Sequence, residues 1–375
     1  MEFTGILKHY MMQLISNSTP TAPVWNREQF VHNKQADWNY VNGIMMRGLL
    51  NFYEKTKDEK YLHFVDQFMG YFIEEDGAIL TYHMEDYNID HLCGGPVLIS
   101  LYELTHKEKY LKAAKLLRKQ LDAHPRTKDG NFWHKLVYPN QVWLDGLYMG
   151  QPFYMQYEAK YNAQKGCSDS FNQFKNVHKF MKDRKTGLYY HGYDESRESF
   201  WCNRATGLSR EFWLRALGWF VMACVDTLEV MPEGMVSEKK ELLQIYQELI
   251  DALLVFQDKE SGMWYQVIDQ VGREGNYLET SGSAIISYAI LKSIRLGYLD
   301  ESYKKYGIDA FEGICKKYLS EKNGKLQLGG ICLVAGLGGN TNRRDGSYNY
   351  YISEPVVEND GKGVAPLILA FSELI

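Results

Sequence analysis

A short unit recurs along this chain, in which a glycine turn is followed by alternating aromatic and apolar residues. Copies occupy residues 76–83, 129–134, 186–191 and 261–266, and a fainter copy occupies residues 323–328. A glycine turn followed by alternating apolar residues predicts a short strand. The copies are about 50 to 75 residues apart, which exceeds the period of the common solenoid repeats.

Helical patterns fill the sequence between these units. Gly297 follows one of them, at a position where helices commonly end in glycine. Two helices for each short strand, repeated about six times, predict an all-α (α/α)6 barrel, with six helical hairpins in a toroid and short β-turn or strand connections. An open helical solenoid and two helical domains are the alternatives. Apolar residues recur at helical spacing in 107–121, 214–230, 239–256, 281–296, 303–319 and 364–374.

The ring hypothesis also bears on the number of domains. A length of 375 residues alone suggests about two domains. Closing a ring of hairpins requires the whole chain, however, and no Pro-, Ser- or Gly-rich linker interrupts it. We therefore expect a single catalytic domain, an (α/α)6 barrel over residues 1–375.

Charge and hydropathy exclude several classes of protein. The formal net charge is −5 and no Lys/Arg-rich stripe is present, so we expect no nucleic-acid partner. No run of about 18 apolar residues occurs, so we expect no membrane span. Residues 1–20 lack the basic start and long apolar run of a secretory signal. These features favour a cytoplasmic location.

The sequence contains no recognisable cofactor or metal motif. The six cysteines are scattered without a Cys-x-x-Cys pair, and in a cytosolic enzyme they are expected to be free and buried. The ten histidines show no zinc pattern, and no His-Glu-x-x-His, P-loop or Gly-x-Gly-x-x-Gly motif occurs. We predict no bound metal, nucleotide or other cofactor.

Aromatic and polar residues are concentrated in 131–135 and 141–150, which include His134, Lys135, Trp143 and Asp145. Aromatic walls with a few polar groups suit a sugar-binding site. A carboxyl group among aromatic rings can have its pKa raised, which suits a general acid near neutral pH. The alternative is an aromatic core with an Asp near a helix start, where acids are favoured. For the cluster as a whole, we favour a site.

Three further clusters carry candidate residues. The first is 38–40, ahead of Gly43, and the second is 87–91, which contains Asp90. The third begins at His191 and continues through a helix on which Phe212, Arg215 and Trp219 share one face. An arginine on an apolar face needs an anion or solvent, so Arg215 either forms an internal salt bridge or recognises a substrate carboxylate.

Asp90 and Asp145 are the plausible acid pair. Two neighbouring carboxylates raise the pKa of one of them, which leaves a protonated donor. Ordinary glycoside hydrolysis also requires two carboxylates. His191 taken alone fits a structural role better than a catalytic one.

These motifs resemble those of the unsaturated rhamnogalacturonyl hydrolases, glycoside hydrolase family 105. The resemblance covers essentially the full length of the chain and implies an (α/α)6 barrel without a cofactor. The match at Tyr40 rests on weaker local similarity. The similar motifs lie at 87–91, 132–135, 143–149, 190–192, 215–219, 277–284, 345–348 and 351–354.

The resemblance implies a reaction and a role for each residue. The expected partner is an unsaturated pectin-derived oligosaccharide, with a 4,5-unsaturated galacturonic acid at its non-reducing end. Enzymes of this family hydrate the C4=C5 enol ether, after which the ring opens and expels the next sugar, usually rhamnose. Asp145 would be the general acid and base, and Asp90 its partner. The substrate-binding residues would be Tyr40, His134, Lys135, Trp143, Met149, His191, Trp213, Arg215 and Trp219.

Four other functions are compatible with this sequence. An unsaturated glucuronyl hydrolase acting on glycosaminoglycan fragments would use the same two aspartates. An ordinary inverting glycosidase could use the same barrel. A sugar epimerase would require His as acid and base. A carbohydrate-binding module would need only the aromatic rings, and the placing of Asp145 among them argues against it.

Overall fold

The computed structural model describes residues 2–339 and 341–375. Within this part of the chain, α-helices dominate and the strands are short. The helices are α1 (Thr4–Ser16), α2 (Arg27–Val31), α3 (Tyr40–Thr56), α4 (Glu59–Phe72), α5 (Gly95–Thr105), α6 (Glu108–Ala123), α7 (Leu144–Tyr161), α8 (Cys167–Met181), α9 (Leu214–Val230), α10 (Val236–Leu254), α11 (Thr280–Arg295), α12 (Lys304–Tyr318), α13 (Tyr348–Ser353) and α14 (Gly361–Glu373).

Three antiparallel strand pairs join parts of the connections. Short 3-10 helices occur at Met84–Asp86, Ile89–Gly94 and Glu301–Tyr303. The strand pairs are β1 (Gln141–Trp143) with β2 (Gly192–Asp194), β3 (Leu319–Lys322) with β4 (Lys325–Leu328), and β5 (Ile331–Cys332) with β6 (Val356–Val357).

Six inner helices form a closed ring. Each of α3, α5, α7, α9, α11 and α14 packs against the next, and α14 packs against α3. The outer helices α4, α6, α8, α10 and α12 each follow an inner helix. Helix α1 lies against β4, and Tyr10 on α1 donates a hydrogen bond of 2.6 Å to Asn359, just before α14. The predicted (α/α)6 barrel is confirmed. The single domain over 1–375 stays a prediction, favoured by this meeting of the two ends.

Burial distinguishes the two layers. Helices α7, α9 and α11 are buried around almost their whole circumference, whereas the outer helices bury one stripe. On α6 this stripe includes Tyr110, Leu117 and Leu121, as its spacing predicts. All six predicted helical segments are helices whose observed ends lie within a few residues of the expected ones. Gly297 follows α11 with φ of 70°.

The predicted strands are largely wrong. Only the unit at 323–328 contains a strand, β4, which forms a hairpin with β3. The other four units contain isolated bridges, such as Ile73 with Ile79 and Lys182 with Tyr189. In both of these units, one residue after the turn pairs with one residue that follows an outer helix. No second strand is therefore available to form a ladder. The glycines of all five units have positive φ, between 71° and 95°, which explains their recurrence.

The long connections all lie at the end of the ring where the inner helices begin. There they lead from each outer helix to the next inner helix, as 73–94, 124–143 and 182–213 do. At the opposite end the links are short, for example Lys57–Asp58 between α3 and α4. Long loops on a rigid scaffold commonly carry function. We call this end the mouth. No helix among the described residues is long and apolar enough to cross a membrane.

A buried ionic network lies near the opposite end, between α9 and α11. Lys292 Nζ is 2.6 Å from Asp226 Oδ1 and 2.7 Å from Glu229 Oε2. The hydroxyl of Tyr288 donates to Asp226 Oδ1 at 3.0 Å. Burial would raise the pKa of Glu229, but Lys292 outweighs it and lowers this pKa to about 2. The network therefore holds α9 and α11 together through charges that depend on Lys292.

Lys292→Met should destabilise the fold, because Asp226 would lose its buried ion-pair partner and Glu229 would keep Arg295 at the longer distance of 3.5 Å. Breaking a buried ion pair from one side costs about 3–5 kcal/mol. Denaturant unfolding would measure the loss. The control is Lys316→Met, which removes an exposed pair with Glu312 on α12 and should cost less than about 1 kcal/mol. Equal losses of unfolding free energy in the two variants would show that the buried network stabilises the fold no more than an exposed ion pair does.

Candidate active site

The predicted site residues gather at the mouth, in the first turns of the inner helices. Tyr40 is the first residue of α3, Asp145 the second of α7 and Arg215 the second of α9. Asp90 lies in the 3-10 helix directly before α5. Helix N-termini carry partial positive charge and free N–H groups, so their convergence favours an anionic ligand.

Asp90 is held as an anion by two basic neighbours. Its Oδ2 lies 2.7 Å from Lys135 Nζ, and its Oδ1 lies 3.6 Å from His134 Nε2. Burial alone would raise the pKa of Asp90, but Lys135 and His134 outweigh it and lower this pKa. Asp90 therefore has no proton to donate at neutral pH.

Asp145 has a different environment. Its Oδ2 lies 3.1 Å from His191 Nε2, but the two atoms are not aligned for a hydrogen bond. Both atoms are buried and have no hydrogen-bond partner among the described residues. Catalytic hydrogen bonds are often poorly aligned until substrate binds. This pair is therefore free to hold an oxygen atom of a sugar or a water molecule. The two aspartates thus contact different histidines.

Tyr351 on α13 sets the tautomer of His191 and was not among the predicted residues. Its hydroxyl lies 2.7 Å from His191 Nδ1, its one hydrogen-bond partner within the described chain. Burial raises the pKa of Tyr351 well above its ordinary value, so it is a neutral phenol that must donate. Nδ1 of His191 accepts this bond, and Nε2 carries the ring proton beside Asp145. No local sequence signal links residues so far apart.

Aromatic rings pack against the two histidines that lie beside the aspartates. Trp143 stacks on His134 with centroids 4.2 Å apart and on Tyr138 at 5.0 Å. Trp213 lies 4.8 Å from His191 and stacks on Tyr351 at 5.8 Å. These rings fix the two histidines in place, which agrees with the predicted aromatic wall.

Arg215 is buried without an acidic partner. Its Nη1 donates to Ser281 Oγ at 3.1 Å and to Cys332 O at 2.5 Å, and the guanidinium lies 4.8 Å from the Trp213 ring. Glu279 accepts hydrogen bonds from Ser281 Oγ and from the backbone N–H of Cys332. It therefore contacts the hydrogen-bond partners of Arg215, and not Arg215 itself. No Asp or Glu lies within 4 Å of Arg215, although the described residues include every acidic side chain. The internal salt bridge is therefore wrong as an explanation of Arg215.

The remaining predicted residues lie beside or below this centre. Tyr40 lines a polar cavity of about 260 Å³ together with Asp90 and Lys135. Met149 and Trp219 lie one helical turn below Asp145 and Arg215. Both are buried, and Trp219 stacks on Tyr148 at 5.0 Å. They therefore lie in the barrel interior, beneath the mouth. Across the described ranges, no three His, Cys, Asp or Glu side chains are arranged to hold a metal ion.

Two acids and aromatic walls at the mouth of a helical toroid define a glycoside hydrolase. The sequence model described as Glycosyl Hydrolase Family 88 matches residues 14–375, so the chain belongs to this family.

Solved and curated relatives agree with this assignment. A family 105 glycoside hydrolase from C. acetobutylicum ATCC 824 is 46% identical, with a TM-score of 0.91 and coverage of 100% of this chain and 99% of that one. Protein Atu3128 of Agrobacterium fabrum is 40% identical over 60% of this chain and 97% of its own length. The unsaturated rhamnogalacturonyl hydrolase YesR of Bacillus subtilis is 27% identical over 72% of this chain and 73% of its own. The resemblance to family 105 is confirmed.

His134 should stay neutral at pH values well above 4. Burial lowers its pKa from 6.5 to about 4, although Asp90 partly opposes this. An NMR titration of the His134 ring, assigned with His134→Gln, should therefore show a midpoint near 4. A midpoint near 6.5 would contradict it. Because the unfolded chain binds this proton more tightly, His134 should also make the free energy of unfolding fall as pH drops from about 6.5 to about 4.

Proposed function

We propose that this enzyme releases 4,5-unsaturated galacturonic acid from the non-reducing end of rhamnogalacturonan oligosaccharides. The observation that carries this proposal is the unequal environment of the two aspartates. Asp90 is fixed as an anion by Lys135, whereas Asp145 presents a buried oxygen with no hydrogen-bond partner among the described residues. A hydration reaction needs one carboxyl group that delivers a proton and later removes one from water, and Asp145 is the group free to do both.

The substrate carboxylate has a matching cation in Arg215. Only Nη1 of its guanidinium has partners within the described chain, so the rest of the fork can donate to a carboxylate. Arg215 is 1% exposed, so such a carboxylate would be almost completely removed from water, where charge-assisted hydrogen bonds are strong. The converging helix N-termini favour the same charge. The name of the relative YesR supports rhamnogalacturonan as the polymer.

The reaction begins when Asp145 transfers its proton to C4 of the enol ether. Positive charge then develops at C5 and on the ring oxygen. A water molecule held between Asp145 and His191 adds to C5, and its proton returns to Asp145. The resulting hemiketal breaks its bond from C5 to the ring oxygen, and the hemiacetal left at C1 expels rhamnose. One water is consumed, and no bond to the anomeric carbon is attacked.

Isotope incorporation tests this proposal. With unsaturated galacturonyl-rhamnose in deuterated, ¹⁸O-labelled water, early samples of the released keto acid should carry one deuterium at C4 and the label at C5. Asp145→Asn should reduce turnover by about 10²–10⁴-fold, because an amide cannot donate this proton. Asp122→Asn, an exposed position on α6, is the matched control and should have no effect.

An ordinary glycosidase would give a different result. It would place the oxygen label at the anomeric carbon, leave C4 unlabelled and also cleave the saturated disaccharide. An unsaturated chondroitin disaccharide turned over in preference to the galacturonyl-rhamnose would favour a glucuronyl hydrolase instead. Either result overturns the proposal.

Arg215→Lys should raise KM for the disaccharide by about tenfold or more, although the charge is retained. A lysine cannot hold Ser281 and Cys332 and also present a fork to the substrate carboxylate. Steady-state kinetics and thermal melting should be measured together. A lower melting temperature with an unchanged KM would mean that Arg215 only braces the fold.

A further inference from the structure

A second cavity, of about 570 Å³, opens at the mouth beside the site described above. Its wall contains the rings of Tyr138, Phe200 and Trp201 and the side chains of Gln141 and Arg344. Lys135 and Tyr138 form an isolated bridge, and the short turn between them separates this cavity from the one that Asp90 lines. We call it the aglycone cavity. None of the residues assigned to the reaction lines it.

The aglycone cavity is in contact with the catalytic wall through Trp143. Tyr138 stacks on Trp143, whose Nε1 donates to Gln141 Oε1 at 3.1 Å. Trp143 in turn stacks on His134. A single aromatic ring therefore lies between this cavity and the side chains that contact Asp90.

Arg344 gives the aglycone cavity its charge. It is half-buried and is the one charged side chain in the wall. No Asp or Glu lies within 4 Å of it, whereas the adjacent Arg343 is paired with Glu354 at 3.3 Å. A methyl group built at Gly336 would lie 3.3 Å both from Arg344 Nη1 and from the Trp143 ring, so the guanidinium lies close to that ring. Arg344 therefore has no acidic partner among the described residues, and its guanidinium can bind an anionic ligand.

A second polar group in the wall is also unpaired. Trp201 is fully buried, and its Nε1 has no acceptor among the described residues. Gln141 and Ser199 supply an amide and a hydroxyl, which bond each other at 3.3 Å. Aromatic faces, neutral hydrogen-bonding groups and one unpaired arginine match an acidic sugar better than a neutral one.

The chemistry of the substrate directs specificity towards the glycosidic bond and the leaving-group side. Forming the C4=C5 bond destroys the C4 stereocentre by which galacturonate and glucuronate differ. The polymers are then distinguished by the configuration of the glycosidic bond and by the sugars on the leaving-group side. A rhamnogalacturonan fragment longer than a disaccharide carries its next carboxylate beyond the rhamnose.

We propose that the aglycone cavity is a subsite for a uronate sugar on the leaving-group side, whose carboxylate binds Arg344. This inference rests on the proposed function and adds the substrate length to it. Tyr138 and Phe200 pack against the sugar, and Gln141 and Ser199 bond its hydroxyls. The enzyme accordingly prefers a tetrasaccharide with an internal galacturonate to the disaccharide.

The test compares kcat/KM for the unsaturated disaccharide and the unsaturated tetrasaccharide. The native enzyme should favour the tetrasaccharide by about tenfold, as expected for a charge-assisted bidentate contact. Arg344→Gln should lower the tetrasaccharide value about tenfold more than the disaccharide value, and Arg344→Lys should lower it less. Arg343→Gln, an equal loss of charge outside the cavity wall, is the control and should change the ratio less than about twofold.

Binding is measured separately, so that the two proposals fail independently. In the Asp145→Asn protein, calorimetry should show that Arg344→Gln weakens binding of the tetrasaccharide. If neither oligosaccharide is turned over but this binding depends on Arg344, the proposed function fails and the subsite stands. If both are turned over with equal kcat/KM, or Arg344→Gln affects both equally, the subsite is overturned.

Discussion

The mouth of this barrel depends on one buried ammonium group. Lys362, in the first turn of α14, is fully buried, and its Nζ lies 2.7 Å from Glu28 and 3.0 Å from Asp360. Removing one partner of such a pair is strongly destabilising, so the N-terminal segment and the C-terminal helix need each other. The same Nζ lies 5.9 Å from the centre of the Tyr40 ring. Lys362 therefore helps both to close the ring and to position Tyr40 at the site.

The site depends on a second electrostatic constraint, the separation of two similar carboxyl groups. Both aspartates lie near helix starts at the mouth, and sequence alone gives them the same chemistry. Lys135 distinguishes them, because it pairs with Asp90 at 2.7 Å and has no ion pair with Asp145. His134 lies beside Asp90 and remains neutral, since burial lowers its pKa to about 4. In the proposed reaction, these neighbours leave Asp145 as the acid for proton transfer.

Sequence patterns predicted the ring, the outer helices α6, α10 and α12, and the inner helices α9, α11 and α14. The bounds of α5 and α7 were not predicted, and both helices contain proline, which weakens a helical pattern. Helix α4 has a clear stripe and could have been delimited. Every predicted site residue lies at or below the mouth. The hydrogen bond from Arg215 to the backbone carbonyl of Cys332 could not be predicted, because every residue has a backbone carbonyl and the residue type does not show which one accepts.

Charge balance explains how a positive site can support the proposed cationic transition state. Converging helix N-termini and Arg215 favour the substrate carboxylate, but they oppose positive charge at C5. Proton donation itself offsets this, because Asp145 becomes a carboxylate as the cation forms. Its place in the first turn of α7 stabilises that carboxylate through the same helix field. The field that binds the substrate thereby also favours release of the proton that starts the reaction.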